Sequence, residues 1–294
     1  MIILAILDGW GIGKFDDSNP IYVAKPKNIL GLQERFPYGA LKSSGLLTGL
    51  SWKEAGGSKE GHLAIGTGRI IEKDEISKGT KIPNSLGEVL AANKKTDLKV
   101  AESLKEECVT YYFNGLQKEP LEGEFRAILP SENSPNPETN TEMRATAITD
   151  RAIASINEGG FDFILVNYAN PDIIAHTGNF AATKDSIQVV DREIGRLLEN
   201  TLNQNHALVI AGSHGNAEVV LDPKTGKPET TNNPDPVPFY LAGKEYEKAG
   251  TQIDPYAQIP TIGMLTDVAP TILELMNLPI PQEMTGESLL PQLT

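Results

Sequence analysis

The chain has 294 residues, enough to bury a substantial hydrophobic core, and its 39% apolar and 22% charged residues are typical of globular proteins. Asp and Glu number 39 against 26 Lys and Arg, so the net charge of −13 disfavours nucleic acid and anionic membranes as partners. We therefore expect a protein that acts on a small molecule or a metal, with no nucleic-acid and no membrane partner.

The first predicted element is the apolar run Ile2–Leu7. It is shorter than a membrane-spanning helix, no basic leader precedes it and no cleavage-like site follows it, so we expect a buried strand rather than a targeting segment. The chain has one cysteine, Cys108, which cannot form an internal disulfide. This cysteine usage fits a reducing compartment, and we expect a cytoplasmic protein.

Further short apolar runs, each followed by a polar or glycine-bearing turn, are typical of parallel strands that are covered on both faces. These predicted strands are residues 163–166, 207–211 and 237–241. Predicted helices lie between and after them, at residues 142–157, 185–203 and 266–277, the last with Thr266 or Asp267 as its N-cap. The alternation of strand and helix predicts an α/β fold with a mainly parallel sheet.

Two polar segments interrupt this pattern. Residues 72–99 are rich in charge with only a short apolar group, and we expect them to be peripheral. Residues 130–141, "PSENSPNPETNT", are rich in Pro, Asn and Ser and are predicted to form a loop.

Metal-binding residue types follow three of the predicted strands. Asp8 follows the first strand, Asp172 and His176 follow the strand at 163–166, and His214 follows the strand at 207–211. Ligands collect at the carboxyl ends of strands in open α/β sheets, and the i, i+4 spacing of Asp172 and His176 would place both on one helix face. Each residue also has an ordinary structural explanation: a turn residue, a solvated helix face or a bond to a carbonyl.

The chain has only four histidines, and three of them, His62, His176 and His214, lie in stretches predicted as glycine-bearing loops; His206 stands beside a strand start. A mixture of Asp and His favours Mn or Zn over Ca. Ser58, in "GGSKEGHLAIGTGR", is explained as a loop serine when taken alone. A serine hydroxyl is a weak nucleophile unless a base or a metal activates it, so a reactive Ser58 would require these donors nearby.

Seven motifs carry a resemblance to a known family: "ILDGWGIG", "GSKEGHLAIGTGR", "VTYYFNG", "NYANPDIIAHTGN", "HGNAE", "PVPFYLAG" and "DVAPTILELMNLPIPQEMTGESL". In this order they resemble the phosphatase domain of cofactor-independent phosphoglycerate mutase, within the alkaline phosphatase superfamily. The resemblance implies an alkaline-phosphatase-like three-layer α/β fold, with a mainly parallel central sheet flanked by helices.

The resemblance also implies a chemistry, in which a serine takes the phosphoryl group beside two divalent metal ions, usually manganese. Carried over by position, Ser58 matches the nucleophile. Asp8, Ser58 and His214 match ligands of one ion, and Asp172 and His176 match ligands of the other. Zinc also fits these donors.

Of the other positions in these motifs, some match the family and some depart from it. His62 and Lys105 match residues that would contact or neutralise the phosphate. Ser213 stands where the family has a ligand aspartate, and Asn232 stands where it has a ligand histidine, so both are degenerate ligand positions. Lys59 follows the serine where the family usually has an acidic residue. Each metal site therefore lacks one strong ligand, and we expect reduced metal affinity or none.

Full-length mutases insert a second domain, which grips the glycerate, between the regions that correspond to Arg69 and Ser85. This chain has only a short polar link there, at about residues 70–85. We therefore expect one phosphatase-like domain over residues 1–294, without the transferase domain. A phosphoryl group on serine would then be exposed to water, and the expected reaction is hydrolysis of a small phosphorylated metabolite.

Three functions remain open on this basis. The chain is a metal-dependent phosphomonoesterase that works through a phosphoserine intermediate, a catalytically inactive binding or regulatory relic with degenerate metal sites, or a phosphoglycerate mutase completed by a separate transferase chain. The persistence of Ser58 favours the first, the changes at Ser213 and Asn232 favour the second, and only the missing domain favours the third.

Overall fold

A computed structural model describes residues 1–45, 54–132, 134–222, 224–248, 254 and 258–293. Within these residues, eight strands form one sheet in the order β4-β3-β5-β1-β6-β7-β2-β8. The strands are β1 (Ile2–Leu7), β2 (Tyr38–Lys42), β3 (Asp97–Glu102), β4 (Glu124–Leu129), β5 (Phe163–Tyr168), β6 (Ala207–Gly212), β7 (Val237–Ala242) and β8 (Thr261–Met264).

Helices cover both faces of this sheet. They are α1 (Pro20–Ala24), α2 (Lys27–Arg35), α3 (Ser58–Thr67), α4 (Lys73–Lys78), α5 (Leu86–Ala92), α6 (Ala145–Glu158), α7 (Asn170–Ala175), α8 (Phe180–Asn203), α9 (Val268–Leu275) and α10 (Leu290–Leu293). In the part of the chain that is described, no helix is both long and apolar enough to cross a membrane.

Strand β1 shows why the fold has three layers. Successive side chains of a strand point to opposite faces, and every residue of β1 is buried. The alternate residues from Ile3 to Leu7 join the core with α2, α6 and α8, whereas those from Ile2 to Ile6 join the core with α3, α5 and α9. A strand buried on both faces must be apolar throughout, which is what the opening run shows.

The mainly parallel α/β fold is confirmed, with one difference. Strands β4, β3, β5, β1 and β6 pair in parallel, and so do β2 and β8. Strand β7 pairs antiparallel with both β6 and β2. An apolar run reports burial but not strand direction, so the expectation that β7 is parallel was wrong.

The expectation that residues 72–99 are peripheral was also wrong. Leu86 and Leu90 of α5 are fully buried, and β3 lies inside the sheet between β4 and β5. The charge that obscured this strand is itself buried: Lys99 is 0% exposed, and its Nζ contacts Glu124 at 3.2 Å and also Asn114. Polar partners supplied by other segments compensate for burying a lysine, and a single segment does not reveal them.

The predicted helices are present with shifted ends. Helix α8 begins five residues before the predicted start, and Asn179 caps it by accepting a hydrogen bond from the Ala182 amide at 3.1 Å. Asp267 precedes α9, as one of the two predicted caps, but its carboxylate accepts from the Met264 and Glu287 amides instead. The predicted loop at 130–141 contains one short 3₁₀ turn, Pro137–Thr139, while Asn133 lies outside the described residues.

Candidate functional site

The candidate residues meet at one edge of the sheet. Asp8 follows β1, Lys105 follows β3 through a short 3₁₀ turn, Asp172 lies on α7 just after β5, and His214 follows β6. The four strands β3, β5, β1 and β6 are neighbours in that order and run in parallel. Their carboxyl ends therefore deliver four side chains to one place, as expected for an open α/β sheet.

Two glycines allow the close approach that this arrangement needs. Gly9 has φ +71°, and a Cβ there would lie 2.7 Å from the Asp172 Cα, so the turn after β1 can lie against α7. A Cβ at Gly61 would collide with the main-chain oxygen of Ser213, so only glycine lets α3 rest on the end of β6. These contacts bring the start of α3 beside the two aspartates.

Ser58 is the first residue of α3, and its hydroxyl lies within this group. Its Oγ is 3.0 Å from Asp8 Oδ2, 3.3 Å from Asp172 Oδ2 and 2.7 Å from Lys105 Nζ. Since the ammonium can only donate, the hydroxyl accepts from Lys105 and directs its own proton towards a carboxylate. The serine that was explained as a loop residue when taken alone thus begins a helix next to a base and a cation.

Asp172 has the largest number of partners in the cluster. Its Oδ1 lies 2.9 Å from His214 Nε2, 3.2 Å from His176 Nε2 and 2.8 Å from Asn216 Nδ2. Its Oδ2 faces Lys105 Nζ at 2.6 Å. Helix α7 ends at the residue before His176, so the predicted i, i+4 pair does share a helical face.

Electrostatics hold the two carboxylates in their charged form. Burial alone would raise the pKa of Asp8 and of Asp172, yet the Lys105 ammonium holds the pKa of both well below the usual range. Burial would likewise lower the pKa of His214, but the carboxylates of Asp172 and Asp8 raise the pKa of this imidazole to about 10. The cluster is therefore a buried set of opposite charges.

His62 is fully buried within α3 and not in a loop, which corrects the expectation for that histidine. The Nδ1 atom lies 2.6 Å from the main-chain oxygen of Ser58, and Nε2 lies 2.9 Å from Asn167 Nδ2. Burial lowers the pKa of His62, which favours a neutral ring that donates from Nδ1 and accepts at Nε2. Its contact with Ser58 is through the backbone, and contact with phosphate stays a prediction.

The two degenerate ligand positions make other bonds. The Ser213 hydroxyl bonds Asp8 Oδ1 and lies 2.9 Å from His214 Nδ1. Asn232 donates from Nδ2 to the main-chain oxygen of Gly56 at 2.9 Å, and Gly56 lies two residues before Ser58. Both residues therefore lie beside the cluster, although neither replaces the charge or imidazole of the family pattern.

Three acids, Glu218, Glu229 and Asp235, lie close in sequence to the degenerate positions and would be the residues to replace the missing ligands. Among the described residues, the acidic and imidazole atoms that gather within 4.8 Å of one another come from Asp8, Asp172 and His214. Glu229 bonds Thr230 and Thr231 next to it, and Asp235 lines a separate cavity. Neither acid joins the cluster.

The third acid, Glu218, is buried, and its carboxylate bonds to main-chain amides of two loops. Its Oε2 accepts from the Gly11 amide at 2.8 Å and the Asn216 amide at 3.0 Å. Glu218 thereby ties the loop after β1 to the loop after β6. Burial raises the pKa of this carboxyl to about 7.

Glu218 predicts a pH dependence of stability. The ordinary pKa is 4.5 and the folded value about 7, so between these values the folded chain keeps a proton that the unfolded chain loses. The free energy of unfolding should fall by about 3 kcal/mol as pH rises through this window, because the ionised carboxylate is disfavoured only in the folded state. Urea titrations of wild type and Glu218→Gln in a chelator measure this. The difference in the free energy of unfolding between the two proteins should grow as pH rises. An equal pH dependence in both proteins would contradict the raised pKa of Glu218.

The cluster has the composition of a divalent metal site. Two carboxylates and one imidazole, all buried, each offer one donor atom within 4.8 Å of the others. Oxygen with imidazole nitrogen suits zinc, manganese or a similar ion. The donor set fits a single ion, and Asp8, Asp172 and His214 would hold it.

Comparison with known proteins agrees with this composition. The sequence family described as the Metalloenzyme superfamily matches residues 1–280. The chain belongs to the Metalloenzyme superfamily. The buried cluster of Asp8, Asp172 and His214 has the donor set of a divalent metal site, which agrees with membership of this family.

Curated relatives are named 2,3-bisphosphoglycerate-independent phosphoglycerate mutase. The protein from Clostridioides difficile is 42% identical over 221 residues, which is 75% of this chain and 42% of that protein. The protein from Francisella philomiragia is 38% identical over 237 residues, 79% of this chain and 44% of that protein. The chain thus spans less than half the length of these relatives. The resemblance to this mutase family is confirmed, and it supports an enzyme of the phosphatase or mutase kind.

Solved structures support the same fold. Phosphoglycerate mutase from Leishmania mexicana, determined at low cobalt concentration, matches with a TM-score of 0.83 at 13% identity over 97% of both chains. Alkaline phosphatase from the Antarctic bacterium TAB5 matches with a TM-score of 0.60 at 15% identity, over 94% of this chain and 98% of the other. The alkaline-phosphatase-like fold expected from the motifs is confirmed.

Sequence reasoning missed two members of the site. Asn216 donates to Asp172 Oδ1, and Asn167 meets the ring of His62. Asn216 stands inside the "HGNAE" motif, so that motif contained the signal for it. Asn167 lies in β5, one residue beyond the predicted end of that strand, and a fully buried amide in such a run requires a partner.

Proposed function

We propose that this superfamily member is a metal-dependent phosphomonoesterase in which Ser58 accepts the phosphoryl group and water then removes it. The observation that carries the proposal is the position of the Ser58 hydroxyl, 3.0 Å from a buried carboxylate and 2.7 Å from a buried ammonium. A nucleophilic hydroxyl needs an acceptor for its proton and a cation for its developing charge, and both are within reach.

Asp8 is the proposed proton acceptor. Its Oδ2 is nearer to the Ser58 hydroxyl than Asp172 Oδ2 is, at 3.0 Å against 3.3 Å. The low pKa of Asp8 makes it a weak base, so removal of the proton depends on cations that stabilise the alkoxide. Lys105 supplies one such cation from within the chain.

A phosphoserine would also be stabilised by the helix that carries it. Ser58 occupies the first position of α3, a helix of ten residues. The amides of a first helical turn lack partners within the helix, and the helix dipole favours negative charge there. The phosphoryl group would therefore rest against a helix N-terminus and the Lys105 ammonium.

Asp8, Asp172 and His214 would hold the metal. Manganese is the expected ion, with zinc the alternative, and when bound it would withdraw charge from the phosphate and the serine oxygen. His176, whose side chain is 41% exposed, lies on the solvent side of Asp172. A hydrogen bond from its Nδ1 to the Thr230 carbonyl at 2.7 Å fixes the ring, so that Nε2 faces the cluster.

The proposed outcome is hydrolysis because the chain is proposed to be one phosphatase-like domain without the glycerate-binding domain. Between Arg69 and Ser85 the described chain contains only α4 and short connections. Under this proposal the substrate is a small phosphorylated metabolite and the protein is cytoplasmic.

One observation favours a second function, that of a non-catalytic binding relic. Ser213 and Asn232 stand at ligand positions and make hydrogen bonds within the protein instead. A chain that no longer needs a metal would retain such self-contained bonds. The third function, a mutase completed by a separate transferase chain, rests on the short link alone.

Phosphate release tests the proposal. Purified protein would be incubated with manganese and a panel of phosphomonoesters, with 3-phosphoglycerate among them. The proposal expects manganese-dependent release of inorganic phosphate and no interconversion of phosphoglycerates. Release from none of the substrates, in protein shown to be folded, would favour the relic, and interconversion on adding a transferase-domain chain would favour the third function.

Restoring the family ligand should strengthen metal binding. Ser213→Asp places a second carboxylate beside Asp8, where the hydroxyl now bonds Oδ1. We expect at least about 10-fold tighter manganese binding, because even changes around metal ligands alter affinity by ~10 to 100-fold. Calorimetric titration measures this, with Ser213→Asn as the uncharged control. Equal affinity in the two variants would show that the missing charge is not what limits binding.

A further inference from the structure

We infer that a cavity beside the Ser58 cluster binds the alcohol part of the substrate and favours alcohols that carry an ammonium group over those that carry a carboxylate. The inference rests on the proposed hydrolysis and adds a substrate class to it, phosphate esters of small amino alcohols. The cavity lies between the segment after β3 and the start of α7. It is lined by four apolar residues and two acids, among others: Leu104, Pro137, Met143, Ile173, Glu102 and Glu132.

Two lining residues connect this cavity with the Ser58 hydroxyl. Leu104 precedes Lys105, whose Nζ lies 2.7 Å from Ser58 Oγ. Ile173 follows Asp172, whose Oδ2 lies 3.3 Å from the same oxygen. An ester whose phosphate reaches Ser58 therefore has the cavity beside it for its alcohol part. The cavity volume of about 230 Å³ suits a short alcohol, since pockets for drug-sized ligands begin at roughly 300 Å³.

The Pro- and Asn-rich loop before α6 forms one wall of the cavity and is tied down at both ends. At its start, the Leu104 amide donates to Ser131 Oγ and the Ser131 amide donates to Ser103 Oγ, both at 3.0 Å. At its end, Asn170 of α7 donates from Nδ2 to the main-chain oxygen of Thr141 at 2.8 Å. The loop is thus fixed to the same two segments that carry the lysine and the aspartate, and a wall that is already in place lowers the cost of binding.

Glu102 gives the cavity a negative wall. The residue is only 1% exposed, and among the described residues its Oε1 has no hydrogen-bond partner. Burial raises the pKa of Glu102, and the Lys105 ammonium is near enough to lower it. That ammonium is itself compensated by its ion pairs with Asp8 at 2.7 Å and Asp172 at 2.6 Å. The charge of Glu102 is therefore incompletely compensated, and an ammonium in the cavity would stabilise it.

The other acid of the lining, Glu132, already has partners within the protein. Its Oε2 accepts from Asn140 Nδ2 at 2.7 Å, and its Oε1 lies 3.5 Å from Arg144 Nη1. Arg144 also donates from Nε to the Pro130 carbonyl at 2.8 Å, so this guanidinium is engaged by protein atoms. Among the described residues that line the cavity there is no lysine, arginine or histidine. An alcohol with a carboxylate, such as glycerate, would find no cation there and would be repelled by Glu102.

The apolar part of the lining suits the carbon atoms of such an alcohol. Leu104 is 52% exposed, which is unusual for a large apolar side chain. A ligand in the cavity would cover part of this side chain and remove apolar surface from water. The cavity therefore combines an apolar wall with a negative one, as an amino alcohol requires.

The binding of two matched phosphonates tests this selectivity without requiring hydrolysis. In 3-aminopropylphosphonate and 3-phosphonopropionate the chains have the same length, but one ends in an ammonium and the other in a carboxylate. Neither has an ester bond to phosphorus. Dissociation constants would be measured by calorimetric titration in manganese with wild type, Glu102→Gln and the control Glu158→Gln. Glu158 is the last residue of α6, and its side chain is 68% exposed.

Wild type and Glu158→Gln should bind the aminophosphonate at least about 10-fold more tightly than the carboxyphosphonate, because the cavity attracts one end group and repels the other. Glu102→Gln keeps the shape of the side chain and removes its charge, so the two affinities should come within about 3-fold of each other. Leu104→Lys adds a cation at an exposed position of the lining. It should reduce the preference as well, and it replaces Glu102→Gln if that protein does not fold.

Three results would overturn the inference: no binding of the aminophosphonate by wild type, equal or reversed affinities in wild type, or an unchanged preference in both cavity variants. The outcome is separate from that of the phosphatase assay. Phosphate release without the preference would refute the cavity assignment alone, whereas the preference without phosphate release would refute the hydrolysis and leave a binding site for amino alcohol phosphates.

Discussion

Ser58→Ala should reduce the release of phosphate by at least about 10³-fold, with substrate binding much less affected. The hydroxyl oxygen of Ser58 contacts both Asp8 Oδ2 and Lys105 Nζ, so alanine removes the atom that would form the bond to phosphorus. Losses of this size are measured when the nucleophile of a hydrolase is removed, since the remaining site contributes a small residual rate. Initial rates at saturating substrate measure the loss in the catalytic step. Rates at low substrate also include substrate binding, so the two measurements separate these effects.

Ser18→Ala is the matched control for this change. Ser18 is an exposed serine whose hydroxyl bonds Asp16, and it lies on the segment before α1. This variant should keep the wild-type rate. A Ser58→Ala protein that is folded and still releases phosphate at the wild-type rate would show that water attacks the substrate directly, and the phosphoserine step would have to be abandoned.

Asp172→Asn should lower both metal affinity and stability. The substitution keeps the shape of the side chain and removes the charge that Lys105, His214 and His176 share. Manganese should bind at least about 100-fold more weakly, because an anionic ligand is lost and not merely a neighbour of a ligand. The free energy of unfolding in chelator should fall by about 3 kcal/mol, because buried cationic partners are left without their anion.

Asp185→Asn provides the comparison for Asp172→Asn. Asp185 lies on α8 with a side chain that is 54% exposed, paired with its neighbour Lys184 at 3.2 Å. Exposed ion pairs contribute little, so this variant should stay within about 0.5 kcal/mol of wild type and bind manganese unchanged. If Asp172→Asn behaved like Asp185→Asn in both measurements, the cluster would not be a metal site.

The sequence predicted most of the layers but not the whole sheet. Ile2–Leu7 and the run at 207–211 are continuous apolar segments, and such segments are strands buried on both faces. Strand β3 was missed because Asp97 and Lys99 lie in a buried strand, where Lys99 pairs with Asp97 and also contacts Glu124 and Asn114 from other segments. Charge in one segment indicates exposure only when no partner is near, and partners are a property of the folded chain.

That missed strand also limited the prediction of the site. Asp8, Asp172 and His214 follow strands that the sequence identified, so their meeting at one edge could be expected. Lys105 follows β3, and its place came only from the family resemblance, as a residue near the phosphate. Its contacts with both aspartates are long-range facts that no local pattern contains.

The conformation around Ser58 also could not be predicted from the local sequence. Glycines on both sides of Ser58 predicted a loop, yet α3 begins at this serine and includes Gly61 and Gly66. A Cβ at Gly61 would collide with Ser213, and a Cβ at Gly66 with the main chain of Phe113. These glycines serve close packing rather than a turn, and spacing alone does not distinguish the two uses.

Trapping the phosphorylated protein tests the central claim most directly. Protein with manganese would be mixed briefly with a phosphomonoester that it hydrolyses, quenched in acid, digested and analysed by mass spectrometry. The account predicts phosphate on the peptide that contains Ser58, present after the quench, absent without substrate and lost as substrate is exhausted. Release of phosphate with no phosphate on that peptide at any quench time, or phosphate on a different residue, would contradict it.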